Sequence, residues 1–166
     1  MTLVLAAVGA TVAGLLELTV APHISVNGAH PHLVLVLGVV WMVAAGLESG
    51  LVWAFAGGLV LDVLAPRPLG STAFTLLISL GGAYVGARLL SRLRPLAPVV
   101  LVFVFSIVNS LLLLAVFGAL RTPIPAPDPI SVLVPGAIYD AILAAVLAPL
   151  IISLRDRFAD QERVEW

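Results

Sequence analysis

Six apolar segments, separated by prolines and by a few charged residues, make up most of this chain of 166 residues. In order along the chain they are Thr2 to Val20, His32 to Leu47, Gly50 to Leu64, Ser71 to Leu90, Leu96 to Leu120 and Ser131 to Leu154. Long segments with so few charges are typical of transmembrane helices. The sequence therefore predicts an all-α integral membrane protein, built as a six-helix transmembrane bundle.

The composition supports the same class. Hydrophobic residues make up 61% of the chain and charged residues 10%, against about 45–50% and about 25% in soluble domains. We predict one transmembrane domain over residues 1–154, followed by a short charged tail over residues 155–166. The first span lacks a basic region ahead of it and a small-residue cleavage site behind it, so we interpret it as retained rather than cleaved.

Charge and cysteine content exclude several other classes of protein. The formal net charge is −1 and there is no lysine, which gives no support for nucleic-acid binding. The chain also has no cysteine, so disulfides, thiolate catalysis and thiolate metal sites are excluded.

The second and third segments are short for a membrane span. At about 1.5 Å per residue they reach only about 24 Å, less than the hydrocarbon core of about 30 Å. The link between them, around Glu48, is so short that it predicts an antiparallel hairpin. A count of four or five spans, with this hairpin re-entrant, remains an alternative.

The arginines predict the orientation. With six spans both termini lie on one side, and that side collects Arg88, Arg92, Arg94, Arg155, Arg157 and Arg163. The other side holds Arg67 and Arg121. Because cytoplasmic loops are enriched in basic residues, we expect both termini in the cytoplasm.

Four polar residues lie inside the predicted spans: Glu17, Asp62, Asn109 and Asp140. The predicted topology puts the three carboxylates toward the outer side and the amide near the middle of its span. Intramembrane ionisable residues usually face the interior of a bundle. All four could therefore face one polar cavity in the outer half of the protein.

Asp62 stands just before the sequence APRPLGS, whose prolines end a helix and whose Ser71 is a candidate N-cap. A carboxylate here can fold over the turn, accept the free N–H groups at the start of the fourth span and pair with Arg67. We favour this role as a structural brace. Direct contact of Asp62 with a ligand or partner is the alternative.

Two of the other polar residues inside the predicted spans allow simple interpretations. Asn109 can hydrogen-bond across helices and stabilise their packing. Asp140 needs an arginine, a water molecule or a donor such as Tyr139 or Asn109, or it stays protonated. For Asp140, structural and functional roles remain equally open.

A metal site in the first outer loop is conceivable but weakly indicated. His23, His30 and His32 lie there, with Glu17 nearby, and imidazole is a common metal ligand. Histidines in a Pro- and Gly-rich loop are more often simply polar loop residues. The sequence also contains no phosphate-binding glycine loop and no catalytic set in a workable context. We therefore predict no metal, no cofactor and no enzymatic activity.

Small residues recur at four-residue spacing on the first span, at Ala6, Ala10 and Gly14. Such a ladder lets helices approach closely. The contact is either internal or with a partner.

Several stretches together resemble the MreD family of bacterial rod shape-determining proteins. They are LLELTVAPHISVNGAHPHLVLVLGV, GLVWAFAGGLVLDVLAPRPLGSTAFTLLISLGGAYVGARL, the mid-span Asn109, and YDAILAAVLAPLI. The most specific part is the block G-x-x-x-D-x-x-x-x-x-P-L-G, formed by Gly58, Asp62, Pro68, Leu69 and Gly70.

The resemblance implies a non-enzymatic subunit of the peptidoglycan elongation machinery in the bacterial inner membrane. Members of the family bind the single-span protein MreC and work with a transpeptidase and a glycosyltransferase under the MreB filament. In this chain the ladder Ala6, Ala10, Gly14 would meet the MreC helix. Pro68, Leu69 and Gly70 would form an elbow that supports the periplasmic side of the complex.

The family is also similar in fold to the substrate-binding subunits of energy-coupling-factor transporters. A subunit of that type, binding a vitamin or a metal, is the alternative function.

The chain departs from the family pattern at three positions. Glu17 and Asp140 stand where amides are commoner, and His32 follows Pro31 where Asp or Asn is usual. The departures leave the fold prediction intact, and the resemblance assigns no fixed functional role to these side chains.

Overall fold

A computed structural model of the protein describes residues 2–25, 30–65, 67–90, 96–121 and 132–162, with side chains up to Ser153. These residues form six α-helices: α1 (Thr2–Thr19), α2 (Leu33–Ala45), α3 (Leu47–Leu64), α4 (Ser71–Leu89), α5 (Ala97–Ala119) and α6 (Leu133–Glu162). A short 3-10 helix, Ala21–Ile24, follows α1. The prediction of an all-α protein with six helices is confirmed.

Five of the helices in the described part of the chain are long and apolar enough to cross a membrane, and α2, with 13 residues, is shorter. The expectation of a short third segment was wrong, because α3 has 18 residues and begins at Leu47. Gly46 has a φ of 93° and is the single residue between α2 and α3. Since glycine tolerates positive φ, the chain reverses there within one residue, and Glu48 and Ser49 belong to α3.

The short helix α2 occupies the centre of the bundle. It packs against each of the five others, which follow one another around it in the order α1, α3, α4, α5, α6. Its sequence, LVLVLGVVWMVAA, is apolar on every face, as expected for a helix surrounded by protein. We call the end of the bundle that holds the N-termini of α2 and α4 the outer end, and the opposite end the inner end.

The small-residue ladder of α1 packs inside the protein. Ala6, Ala10 and Gly14 are buried, and α1 packs against α3. A Cβ atom added to Gly14 would lie 2.8 Å from the side chain of Val60, and one added to Gly57 would lie 3.4 Å from that of Ala10. The assignment of this ladder to a partner interface was therefore wrong, because α3 already covers it.

Toward the other end of the chain, α6 continues to Glu162 and so includes most of the residues predicted as a tail. The side chains of Arg92, Arg94, Arg155, Arg157 and Arg163, on which the orientation prediction depends, lie outside the described residues.

Candidate functional site

The carboxylate of Asp62 binds the start of α4. It accepts hydrogen bonds from the backbone N–H groups of Gly70 (2.9 Å), Thr72 (3.0 Å) and Ala73 (3.3 Å), and from the hydroxyl of Ser71 (3.3 Å). The first N–H groups of a helix have no partner within the helix. These are the hydrogen bonds that the brace interpretation of Asp62 requires.

Two glycines permit this arrangement. Gly70 has a φ of 88°, which places the chain in the left-handed region directly before α4. Gly58, one turn before Asp62, lies so close to α4 that an added Cβ atom would overlap the backbone of Ala73. The block from Gly58 to Gly70 is therefore one structural unit, in which the close approach of α3 brings the carboxylate within reach of the α4 N-terminus.

The turn between α3 and α4 differs from the sequence-based prediction in two details, the partner of Arg67 and the N-cap of α4. Arg67 donates to the hydroxyl of Thr72 at 3.3 Å, and no ion pair with Asp62 is found among the described residues. The oxygens of Asp62 already accept several hydrogen bonds, which explains why the arginine is not needed there. The N-cap of α4 is Gly70, and Ser71 is the first helical residue. Leu69 points away from the bundle, with 77% of its surface exposed.

A second carboxylate, Asp140 of α6, binds the start of α2. Its Oδ1 accepts from the backbone N–H of His32 at 2.8 Å, and its Oδ2 lies 2.8 Å from Nδ1 of the His32 ring. The hydroxyl of Ser106 on α5 donates to the same Oδ2 at 2.6 Å. Asp140 is fully buried, and its three bonds tie α6, α5 and the N-terminus of α2 together.

Glu17 of α1 completes the support of α2. Its Oε2 accepts from the backbone N–H of Val34 at 2.8 Å, and the indole N–H of Trp53 on α3 donates to the carbonyl of Val34 at 2.9 Å. The N-terminus of α2 thus faces two carboxylates, and the positive end of a helix dipole favours negative charge. The short central helix is held at its start by α1, α3, α5 and α6.

Other polar side chains lie around the contact between Asp140 and the start of α2. The ring of His30 meets the ring of His32 edge-on, with 5.5 Å between centroids. Burial and the charge of His32 both lower the pKa of His30 below its usual range. The hydroxyl of Tyr139 donates to the carbonyl of Ile24 at 3.0 Å. Nδ1 of His23 lies 2.9 Å from the carbonyl of Thr19, and no metal-binding group of three His, Asp or Glu side chains occurs among the described residues.

The four intramembrane polar residues do not share one cavity. Glu17 and Asp140 converge on α2, Asp62 binds α4, and Asn109 accepts from the hydroxyl of Ser79 at 3.4 Å, between α5 and α4. The expected donors to Asp140 were also wrong. Tyr139 and Asn109 bond elsewhere, while His32 and Ser106 take that role.

Comparison with known proteins identifies one family. The family model described as rod shape-determining protein MreD matches residues 1–158. No curated protein and no solved structure matches the chain. Similarity to the substrate-binding subunits of energy-coupling-factor transporters therefore stays a prediction.

Proposed function

Since the chain belongs to the MreD family of rod shape-determining proteins, we propose that it is a non-enzymatic membrane scaffold that binds MreC. Family membership supports a role in cell shape. In the proposal, the protein lies in the bacterial inner membrane with both termini in the cytoplasm. Through MreC it acts with the elongation transpeptidase, the glycosyltransferase and the MreB filament.

The hydrogen bonds of the three intramembrane carboxylates carry this proposal. Glu17, Asp62 and Asp140 each bond the backbone at the beginning of a helix. A carboxylate that accepts from the N–H groups at the start of a helix stabilises the fold, because those groups have no partner within the helix and are costly to leave without an acceptor. A rigid bundle that presents apolar outer faces fits the task of holding other membrane proteins.

The helix order favours a docking place for the MreC helix. The outer helices begin with α1 and end with α6, and α2 packs against both of them. The hydrogen bond from Tyr139 to the carbonyl of Ile24 connects α6 to the segment after α1 at the outer end. Both helices expose apolar side chains, among them Val4, Val8, Val12, Ile142 and Val146. In our proposal a single apolar helix packs between α1 and α6 and completes the ring around α2.

The elbow supplies a second contact. Leu69 is exposed at the outer end, on a turn that Asp62 and Gly70 hold in place. A rigid turn offers an apolar side chain to a partner at little cost in conformational entropy. In the proposal, Leu69 contacts the periplasmic part of MreC next to its membrane helix.

The test is co-purification with MreC after co-expression in the membrane. Val8→Trp and Val146→Trp add bulk on α1 and α6. Val85→Trp and Val104→Trp add the same bulk to exposed positions of α4 and α5. We expect the first two variants to retain about tenfold less MreC, as a loss of about 1.4 kcal/mol would give, and the controls to match the unmodified protein.

Two results would contradict parts of the proposal separately. If all four variants retain MreC equally, the partner helix docks elsewhere. If the unmodified protein never retains MreC, the scaffold proposal itself fails. For the elbow, Leu69→Ser is compared with Leu89→Ser, which alters a leucine that is 81% exposed at the inner end, and we expect only the first to weaken the complex.

A further inference from the structure

A cavity lies at the inner end of the bundle, at the place where the central helix stops. α2 ends at Ala45, and the chain turns away into α3 at Gly46. Next to this end, α4, α5 and α6 border a partly open cavity of about 510 Å³ together with the last turn of α2. This volume falls within the range of about 300–1,000 Å³ that is usual for small-molecule sites.

The walls of the cavity are mostly apolar. Met42 and Ala44 of α2, Ala87 of α4 and Ile152 of α6 are among the residues that line it. All of these residues are neutral, so the interior offers an environment for a hydrocarbon chain.

A positioned cation lies at the same cavity. The lining also includes Tyr84 and Arg88. Nη2 of Arg88 donates to the hydroxyl of Tyr84 at 2.7 Å, and the guanidinium carbon lies 4.8 Å from the centroid of the tyrosine ring. An arginine over an aromatic face gains a cation–π attraction. The tyrosine thereby holds the guanidinium at the cavity while leaving further N–H donors for an anion.

A fixed guanidinium beside an apolar cavity between transmembrane helices matches one class of ligand. We propose that this cavity binds an anionic phospholipid, with an acyl chain between α2, α4 and α6 and the headgroup phosphate on Arg88. Basic pockets between spans on the cytoplasmic side are typical sites for anionic headgroups. Arg92 and Arg94 follow Arg88 in the sequence, which makes this the most basic stretch of the chain.

The proposal is tested on the purified full-length protein without any partner, so its outcome is independent of MreC binding. The protein is exchanged into detergent containing equal amounts of phosphatidylglycerol and phosphatidylcholine with the same acyl chains, and bound lipid is counted by native mass spectrometry. We expect preferential retention of phosphatidylglycerol. Equal retention of the two lipids would overturn the proposal.

The charge is tested with Arg88→Gln. Removing one arginine near a headgroup should lower phosphatidylglycerol retention about fivefold. The matched control is Arg121→Gln, which removes an arginine after the other end of α5 and should change nothing. If Arg88→Gln and Arg121→Gln behave alike, Arg88 does not bind the headgroup and the proposal fails.

The acyl-chain part is tested with Ala44→Phe, which fills the cavity and keeps Arg88. Val85→Phe adds the same ring to an exposed position of α4 and serves as the control. Only Ala44→Phe should lower retention, and Ala87→Leu replaces it if the first variant unfolds at a lower temperature. Unchanged retention in a folded cavity-filling variant, or displacement of the lipid by an equal concentration of glycerol phosphate, would show that the cavity holds no acyl chain.

Discussion

The N-termini of α2 and α4 both bind buried carboxylates, but these carboxylates come from very different places in the sequence. Asp62 is separated from the N–H group of Gly70 by 8 positions, whereas Asp140 is separated from that of His32 by 108. The α4 contact is thus built within one hairpin, while the α2 contact requires the second and the last of the six helices to meet. A local contact stabilises one turn, and a long-range contact stabilises the whole arrangement of helices.

The carboxylates at the start of α4 and at the start of α2, which we call the α4 site and the α2 site, also differ in the groups that balance their negative charge. Asp62 accepts three backbone N–H groups and a hydroxyl, so its charge is spread over the end of a helix. Asp140 faces a single imidazole in addition to one N–H group and one hydroxyl. We therefore expect the α2 site to depend more strongly on a single side chain than the α4 site.

Replacing Asp140 by Ala should produce the largest loss of stability. The substitution leaves the His32 ring and the Ser106 hydroxyl without their common acceptor. Removing one partner of a fully buried ion pair costs about 3–5 kcal/mol, and we expect the lower end of this range because the His32 side chain is 29% exposed. Asp140→Asn keeps an acceptor oxygen and should lose less. The measurement is the unfolding free energy in detergent, and a normal value for Asp140→Ala would refute the importance of the long-range contact.

Changing the residue types of the His32–Asp140 pair should give the second-largest loss of stability. His32→Asp alone places two carboxylates against each other and should cost about as much as breaking the pair, about 3 kcal/mol. Adding Asp140→Asn leaves one carboxylate facing one amide, which can donate a hydrogen bond to it, and should recover most of the loss. A double variant no more stable than His32→Asp would show that the two residues act independently.

Replacing Asp62 by Ala should have an intermediate effect. It leaves several N–H groups at the start of α4 without an acceptor, with a cost of about 1–3 kcal/mol. Asp62→Asn is the conservative control and should retain part of the stabilisation. If Asp62→Ala loses more unfolding free energy than Asp140→Ala, the ranking of the local and the long-range site is reversed.

Replacing Glu17 by Gln should have the smallest effect. The amide oxygen can still accept from the N–H of Val34, so the substitution removes only the attraction between a charge and a helix dipole, about 0.3–1 kcal/mol. Glu17→Ala, which removes the acceptor as well, is the comparison and should lose more. An equal loss in both variants would mean that the charge, not the hydrogen bond, holds this end of α2.

The sequence predicts the six helices well because prolines, glycines and charges interrupt otherwise continuous apolar segments. It also predicts the hydrogen bonds of Asp62 to the start of α4, since that carboxylate and its partners lie within 12 consecutive residues, from Asp62 to Ala73. The start of α3 was misplaced because Glu48 and Ser49 resemble a loop, whereas a single glycine, Gly46, makes the turn. A contact between residues that are close in the sequence can therefore be predicted from a single sequence.

The long-range contact could not be derived in this way. Nothing in the residues near His32 indicates that Asp140 faces it, and four-residue spacing on α1 is the same whether α3 or a partner covers the small residues. One signal was present. The resemblance drawn in the sequence analysis singles out both His32 and Asp140 as departures, and these two side chains bond to each other in the structure.

The distance in sequence between the two carboxylates and their partners also sets the order of events during synthesis. The hairpin of α3 and α4 can leave the translocon with Asp62 already satisfied, since every group it binds is made within the next few residues. Asp140 belongs to the last helix to emerge, and its imidazole partner was inserted far earlier. The carboxylate contact at the start of α2 can therefore form only when α6 joins the other helices, long after the contact at the start of α4.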